Sequence, residues 1–120
     1  MVIAYWIVAA LLALFYLYAG GRKVTQSKEQ LAPMMGWVDT IPMPFVRLVG
    51  AVEILGAAGL ILPPATGIAP VLAIIAAIGF AILQVLAAAL HLSRGEVNNT
   101  GLNAALIILA AVAAWLATAF

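Results

Sequence analysis

Of the 120 residues, 68% are hydrophobic and only 8% are charged; a soluble domain carries about 25% charged residues, so the composition suits a bilayer and not a water-covered fold. A net charge of +1 carries no message about nucleic acid, and no basic patch interleaved with aromatics appears, so no nucleic-acid partner is expected. The absence of cysteine excludes disulfides, thiol catalysis and cysteine-held metal or iron–sulfur sites.

The first apolar run covers 2–20. It opens without the basic stretch of a signal peptide and ends in Tyr18-Ala19-Gly20-Gly21-Arg22, so it reads as a retained helix. Residues 22–30 are polar. Residues 31–45 are apolar again (Leu31, Met34, Met35, Trp37, Val38, Ile41, Met43, Phe45) but are broken by Pro33, Gly36, Pro42 and Pro44. This segment is too interrupted to span and is expected to lie in the headgroup region with Trp37 as its anchor. Pro42-x-Pro44 reads as a helix-stop. The second run covers 46–62 and leads into an uncharged loop, 63–70, where Pro63, Pro64 and Pro70 are expected to break the helix on both sides. The third run covers 71–92. The polar turn at 93–101 contains Arg94-Gly95-Glu96 and Asn98-Asn99-Thr100, a glycosylation sequon made irrelevant by the cytoplasmic side assigned to this loop below. The fourth run covers 102–120.

A spanning helix needs about 20 residues, with a range of roughly 17–25. All four runs fit, the second at the short end. None alternates like a barrel strand. The expected fold is therefore all-α: a single-domain, integral membrane four-helix bundle of up-down topology, with an interfacial segment between the first two helices. All five basic residues (Arg22, Lys23, Lys28, Arg47, Arg94) fall in or beside the first and third loops. The positive-inside rule then puts those loops in the cytoplasm and both termini outside. The expected location is the bacterial cytoplasmic membrane.

Membrane helices associate through small residues and polar side chains. At alternating spacings of three and four, helix 1 offers Ala9, Ala13, Tyr16, Gly20 and Lys23. Helix 2 offers Gly50, Glu53 and Ala57, with Gly56 close by. Helix 3 offers Ala77, Ala81, Gln84, Ala88 and His91. Helix 4 offers Asn103, Leu106, Ala110, Ala113 and Ala117, with Asn99 just before it. Leu48, Val52, Leu55, Ile75, Ile78, Ile82 and Leu86 read as lipid-facing. The polar members gather toward the cytoplasmic end of every seam.

Glu53 stands out as an acid inside a spanning run, where a carboxylate is costly and faces the interior with a partner or a job. Its candidate partners are Lys23, His91 and Arg47. It either contacts a ligand or exchanges protons, or it ties helices together. His91 suits a proton relay, a head-group ligand or a favourable cation at a helix C-terminus. With one histidine in the chain and scattered carboxylates, no metal is expected. Gln84 and Asn103 read as interhelical hydrogen-bond partners, and Tyr16 as a donor to Glu53 or to a ligand. Tyr5, Trp6, Tyr18 and Trp115 read as aromatic belt.

Several of these residues form longer patterns. Lys23 follows helix 1. Next comes Arg47-Leu-Val-Gly-Ala-Val-Glu53-Ile-Leu-Gly-Ala-Ala-Gly-Leu-Ile-Leu-Pro63, then Ala-Leu-His91-Leu-Ser-Arg94-Gly-Glu96, and Asn103 near the start of helix 4. Over nearly the whole chain this closely resembles the DoxX-like family of four-helix membrane proteins. The resemblance implies that Glu53, His91 and Asn103 are the family's polar positions and Lys23 its basic one. It also implies association with membrane redox complexes, since some relatives are membrane subunits of thiosulfate:quinone oxidoreductase; another relative assists receptor assembly. Without cysteine, a redox role here would run through a bound cofactor or quinone.

The first functional reading is thus a lipophile- or quinone-binding subunit of a membrane redox system. In it, Glu53, His91, Gln84, Asn103, Tyr16 and Lys23 are the candidate ligand-binding or proton-exchanging residues, and 31–45 covers the mouth of the site. A non-enzymatic assembly factor that docks partner helices is the alternative, and a small proton-coupled transporter a further one. No catalytic motif is present. A homo-oligomer is compatible with the sequence.

Overall fold

The structure is a computed structural model that describes every residue except Met34, Asn98 and Asn99. The sequon on Asn98, the place of Met34 in the broken segment and that of Asn99 ahead of helix 4 lie outside the described residues. Among the described residues, four stretches are long and apolar enough to cross a membrane: α1 (Val2–Thr25), α3 (Met43–Thr66), α4 (Val71–Ser93) and Thr100–Ala119. The last is α5 (Thr100–Leu116) continued by a 3-10 turn, Ala117–Ala119. A single-turn helix, α2 (Lys28–Leu31), and a 3-10 turn, Gly36–Asp39, lie between α1 and α3. Helix α1 packs on α3, α3 on α4, α4 on α5 and α5 back on α1, closing a four-helix up-down bundle. At 1.5 Å per residue a helix of 24 residues reaches about 36 Å, enough to cross a hydrocarbon core of about 30 Å.

The spacing of small and polar residues decides which side of each helix turns inward. Ala9, Ala13, Tyr16, Gly20 and Lys23 of α1 are buried, as are Gly50, Glu53 and Ala57 of α3. So are Ala77 and Gln84 of α4 and Asn103, Leu106, Ala110 and Ala113 of α5. Ala81, Ala88 and His91 are half-buried. The residues expected to face lipid, Leu48, Val52, Leu55, Ile75, Ile78, Ile82 and Leu86, are all exposed.

Three expectations fail around proline and tyrosine. Pro63 and Pro64 do not end the second spanning helix; both lie inside α3, which continues to Thr66. The helix stops instead at Gly67, whose φ of 72° takes the left-handed conformation that glycine tolerates, with its N–H on the Pro63 carbonyl. Pro42 and Pro44 are a helix start and not a stop: Pro42 is the N-cap of α3 and Pro44 sits in its first turn, where a missing N–H breaks no bond. Tyr5 is not a belt residue. It is fully buried, and its hydroxyl donates to the Leu60 carbonyl at 2.5 Å.

The Tyr5 contact explains how a proline is accommodated so late in α3. In a regular helix the Leu60 carbonyl receives the N–H of residue 64, and proline has none. A carbonyl left bare inside a bilayer costs several kcal/mol. The Tyr5 hydroxyl supplies the missing donor from α1. Tyr5→Phe is therefore expected to destabilise the bundle by about 1–3 kcal/mol. In a Pro64→Ala background the loss should largely vanish, because the restored N–H takes the same carbonyl. Unfolding of the four chains of this double-mutant cycle in detergent measures both effects.

The segment between α1 and α3 is folded. Ser27 caps α2 by accepting from the Gln30 N–H, while the Gln30 side chain accepts from the Ser27 N–H. Leu31, Val38 and Val46 form a small separate core, with Met35, Trp37 and Ile41 packed around it. This cap sits against the ends of α1 and α3 and roofs the region described next.

Candidate functional site

The site begins with two glycines. A Cβ on Gly20 would stand 2.7 Å from the Gly50 carbonyl oxygen, and one on Gly50 would stand 2.8 Å from that of Gly20. With neither Cβ present, the backbones of α1 and α3 touch. Three residues beyond each glycine, and so on the same face, come Lys23 and Glu53. The Lys23 ammonium meets Glu53 Oε1 at 2.5 Å, with 9% and 2% of the side chains exposed. Arg47 takes no part in this pair. Its Nη1 donates to the Lys23 and Gln26 carbonyls at 2.7 and 2.6 Å, closing the C-terminal end of α1 with a cation.

A chain of neutral hydrogen bonds lies beside the ion pair. Asn103 Nδ2 of α5 donates to Gln84 Oε1 of α4 at 2.7 Å, and Gln84 Nε2 donates to the Tyr16 hydroxyl of α1 at 2.8 Å. Phe80 positions Tyr16, stacking on it with ring centroids 3.7 Å apart and planes 5° from parallel. The outer edge of the Phe80 ring lies against Gly56, where a Cβ would fall 2.5 Å from Cζ. Among the described residues, Asn103 Oδ1 is the buried side-chain polar atom with no hydrogen-bond partner.

Both clusters border one cleft of about 250 Å³. Lys23, Glu53, Gln84, His91 and Asn103 contribute its polar lining. Phe15, Phe45, Val49, Leu83, Leu90 and Leu106 are among its apolar walls, and Met35 and Trp37 close it from the cap. The Lys23 ammonium lies 6.0 Å from the centre of the Trp37 ring, a cation–π distance. Trp37, expected as an anchor, is thus also part of the site.

The cap is fastened through the loop after α4. Arg94 donates to the Gly36 carbonyl at 3.2 Å and to Thr40 Oγ1 at 3.1 Å. Its Nε also donates to Glu96 Oε1 at 3.0 Å, and His91 Nδ1 meets the same oxygen at 3.1 Å. The hydrogen bond from His91, joined by Arg94, holds the Glu96 carboxyl below the ordinary carboxylate range.

Five of the six candidate residues therefore border one cleft. The sixth, Tyr16, is joined to it through Gln84. Tyr16 does not bond Glu53 as one expectation had it; its partner is Gln84. Of the three candidate partners for Glu53, the structure selects Lys23, while His91 turns to Glu96. Sequence reasoning missed Phe80, which looks like any other apolar residue of α4, and the Arg94–Glu96 fastening. The spacing of Glu96, five residues after His91, was a visible signal for the latter. Among the described residues no three His, Cys, Asp or Glu side chains converge as metal ligands would.

Residues 7–113 match the DoxX-like family, and so cover most of the chain. The chain belongs to the DoxX-like family. No curated protein and no solved structure matches it. Within this DoxX-like bundle the buried ion pair yields a direct test. Removing one charge leaves the other uncompensated, at a cost of about 3–5 kcal/mol. Lys23→Met and Glu53→Gln are each expected to destabilise strongly, and the double variant, neutral at both positions, should recover most of the loss. Thermal unfolding of all four chains in lipid nanodiscs checks this.

Proposed function

We propose that this DoxX-like protein binds a small amphipathic lipophile, a quinone-type molecule first among them, drawn from the bilayer into the cleft. In this role it serves as a ligand-holding subunit beside a membrane redox system. The observation that carries the reading is the make-up of the cleft: an apolar chamber with a few convergent polar groups at one end is the usual form of a small-molecule site. Its volume corresponds to roughly eight water molecules, at about 30 Å³ each. That suits a ring-sized head group. Glu53, Lys23, Gln84, Asn103 and His91 would contact the head directly or through one another.

Mass spectrometry of small molecules released from gently solubilised protein should find a quinone-like lipid. Ala87→Trp, at a half-buried position on the cleft wall, should remove it while leaving thermal stability nearly unchanged. Protein that carries no lipophile and takes up none from quinone-loaded vesicles would refute the reading.

We also propose that the first and third loops face the cytoplasm, supported by the clustering of all basic residues there. Because the chain lacks cysteine, a single cysteine placed at Thr118 gives a clean report. A membrane-impermeant maleimide added to intact cells should label it, whereas a cysteine at Glu29 should stay unlabelled until the cells are opened.

A second reading, a docking factor for partner helices, is favoured by one observation. Gly56, Gly59, Ala76 and Gly79 line a lipid-side groove between α3 and α4, and small residues let a further helix approach closely. Loss of partner pull-down on Gly79→Leu, with lipophile binding retained, would favour that reading over the first.

A further inference from the structure

The cleft's unmet hydrogen-bonding capacity limits what can fill it, given the reading of the cleft as a ligand site. Three polar nitrogens at the site have a partner: Lys23 Nζ has Glu53, Asn103 Nδ2 has Gln84, and Gln84 Nε2 has Tyr16. Two acceptor oxygens of the same residues have no donor. Asn103 Oδ1 is buried without a partner among the described residues. Glu53 uses Oε1 for Lys23, and no described residue donates to its Oε2. Buried polar atoms are nearly always satisfied in native proteins, so each exception needs an account. A ligand that donates would satisfy these acceptors, whereas a ligand that only accepts would leave them bare.

Charge narrows the class further. Lys23 and Glu53 cancel each other. Arg47 is committed to the α1 carbonyls and Arg94 to the cap and Glu96. The cleft therefore offers no uncompensated cation to an anionic head, and burying an unpaired charge in it would be costly. We infer that the cleft selects a neutral amphiphile whose head donates a hydrogen bond to Asn103 Oδ1, such as a phenol or a hydroquinone, over the same molecule without that hydrogen.

The test compares a 4-alkylphenol with its methyl ether, a redox-inert pair that differs at the donor, by titration into the unaltered protein in nanodiscs. Losing one well-placed hydrogen bond to a buried acceptor corresponds to about tenfold or more in Kd. The phenol should bind at least about tenfold tighter than the ether. In Asn103→Leu the two should bind alike. If that variant does not fold, the ratio on the unaltered chain still decides. Equal binding of phenol and ether there overturns the donor requirement and leaves the cleft as a site. Binding of neither overturns both readings. A preference that persists undiminished in a folded Asn103→Leu overturns Asn103 as the acceptor.

Discussion

Lys23 and Glu53 face each other inside a bundle whose other contacts are almost all apolar, and the geometry of the molecule follows from keeping them together. Neither charge is tolerable alone at that depth. Their meeting requires α1 and α3 to touch, which in turn requires Gly20 and Gly50. Because both glycines stand three residues before the charged side chain, one backbone crossing serves both partners. Arg47 secures the same region from the outside by closing the last carbonyls of α1. That bond also explains why α1 runs on through Gly20 and Gly21 to Thr25, past the point where the apolar run ends.

The demand that every buried polar group find an internal partner recurs at the other end of the bundle. There the Tyr5 hydroxyl takes the carbonyl that Pro64 cannot reach. The two ends differ in how fully the demand is met. At the Pro64 end the Leu60 carbonyl has its donor in Tyr5. At the end that carries Lys23 and Glu53, the chain from Tyr16 through Gln84 to Asn103 stops at an oxygen without a donor, beside a cavity. A bundle built for stability alone could have ended that chain on another side chain, or replaced it with leucine. This incomplete network beside the cleft supports the proposal that a ligand binds there.

The sequence was most legible where the bilayer leaves no alternatives. Hydropathy and length located four helices, and the three-and-four spacing of Ala9, Ala13, Tyr16, Gly20 and Lys23 picked the buried face of α1. It was least legible where one residue type has two uses. Proline begins a helix where its missing N–H had no partner to lose, as at Pro44, and is carried inside one where another donor takes the bared carbonyl, as at Pro64. A tyrosine near a helix end suits the headgroup belt unless a distant carbonyl needs its hydroxyl, and the carbonyl in question is 55 residues away. Glu53 was conspicuous from composition alone, yet three cations competed for it. Only the crossing point of α1 and α3 chose Lys23. Phe80 carried no signal, because its role depends on the space left by Gly56 and the ring of Tyr16 across the core.

The cap and the cleft share their residues, and this ties covering the site to its contents. Trp37 closes the cleft and lies over Lys23, while the turn that carries Trp37 is held through Gly36 and Thr40 by Arg94. Arg94 is oriented by Glu96, and Glu96 also receives His91, whose ring borders the cleft. A continuous path of polar contacts thus runs from the cleft wall to the cap. The position of His91 at the end of α4 therefore matters less as an isolated charge near a helix terminus than as the first link between the cleft and the segment that covers it.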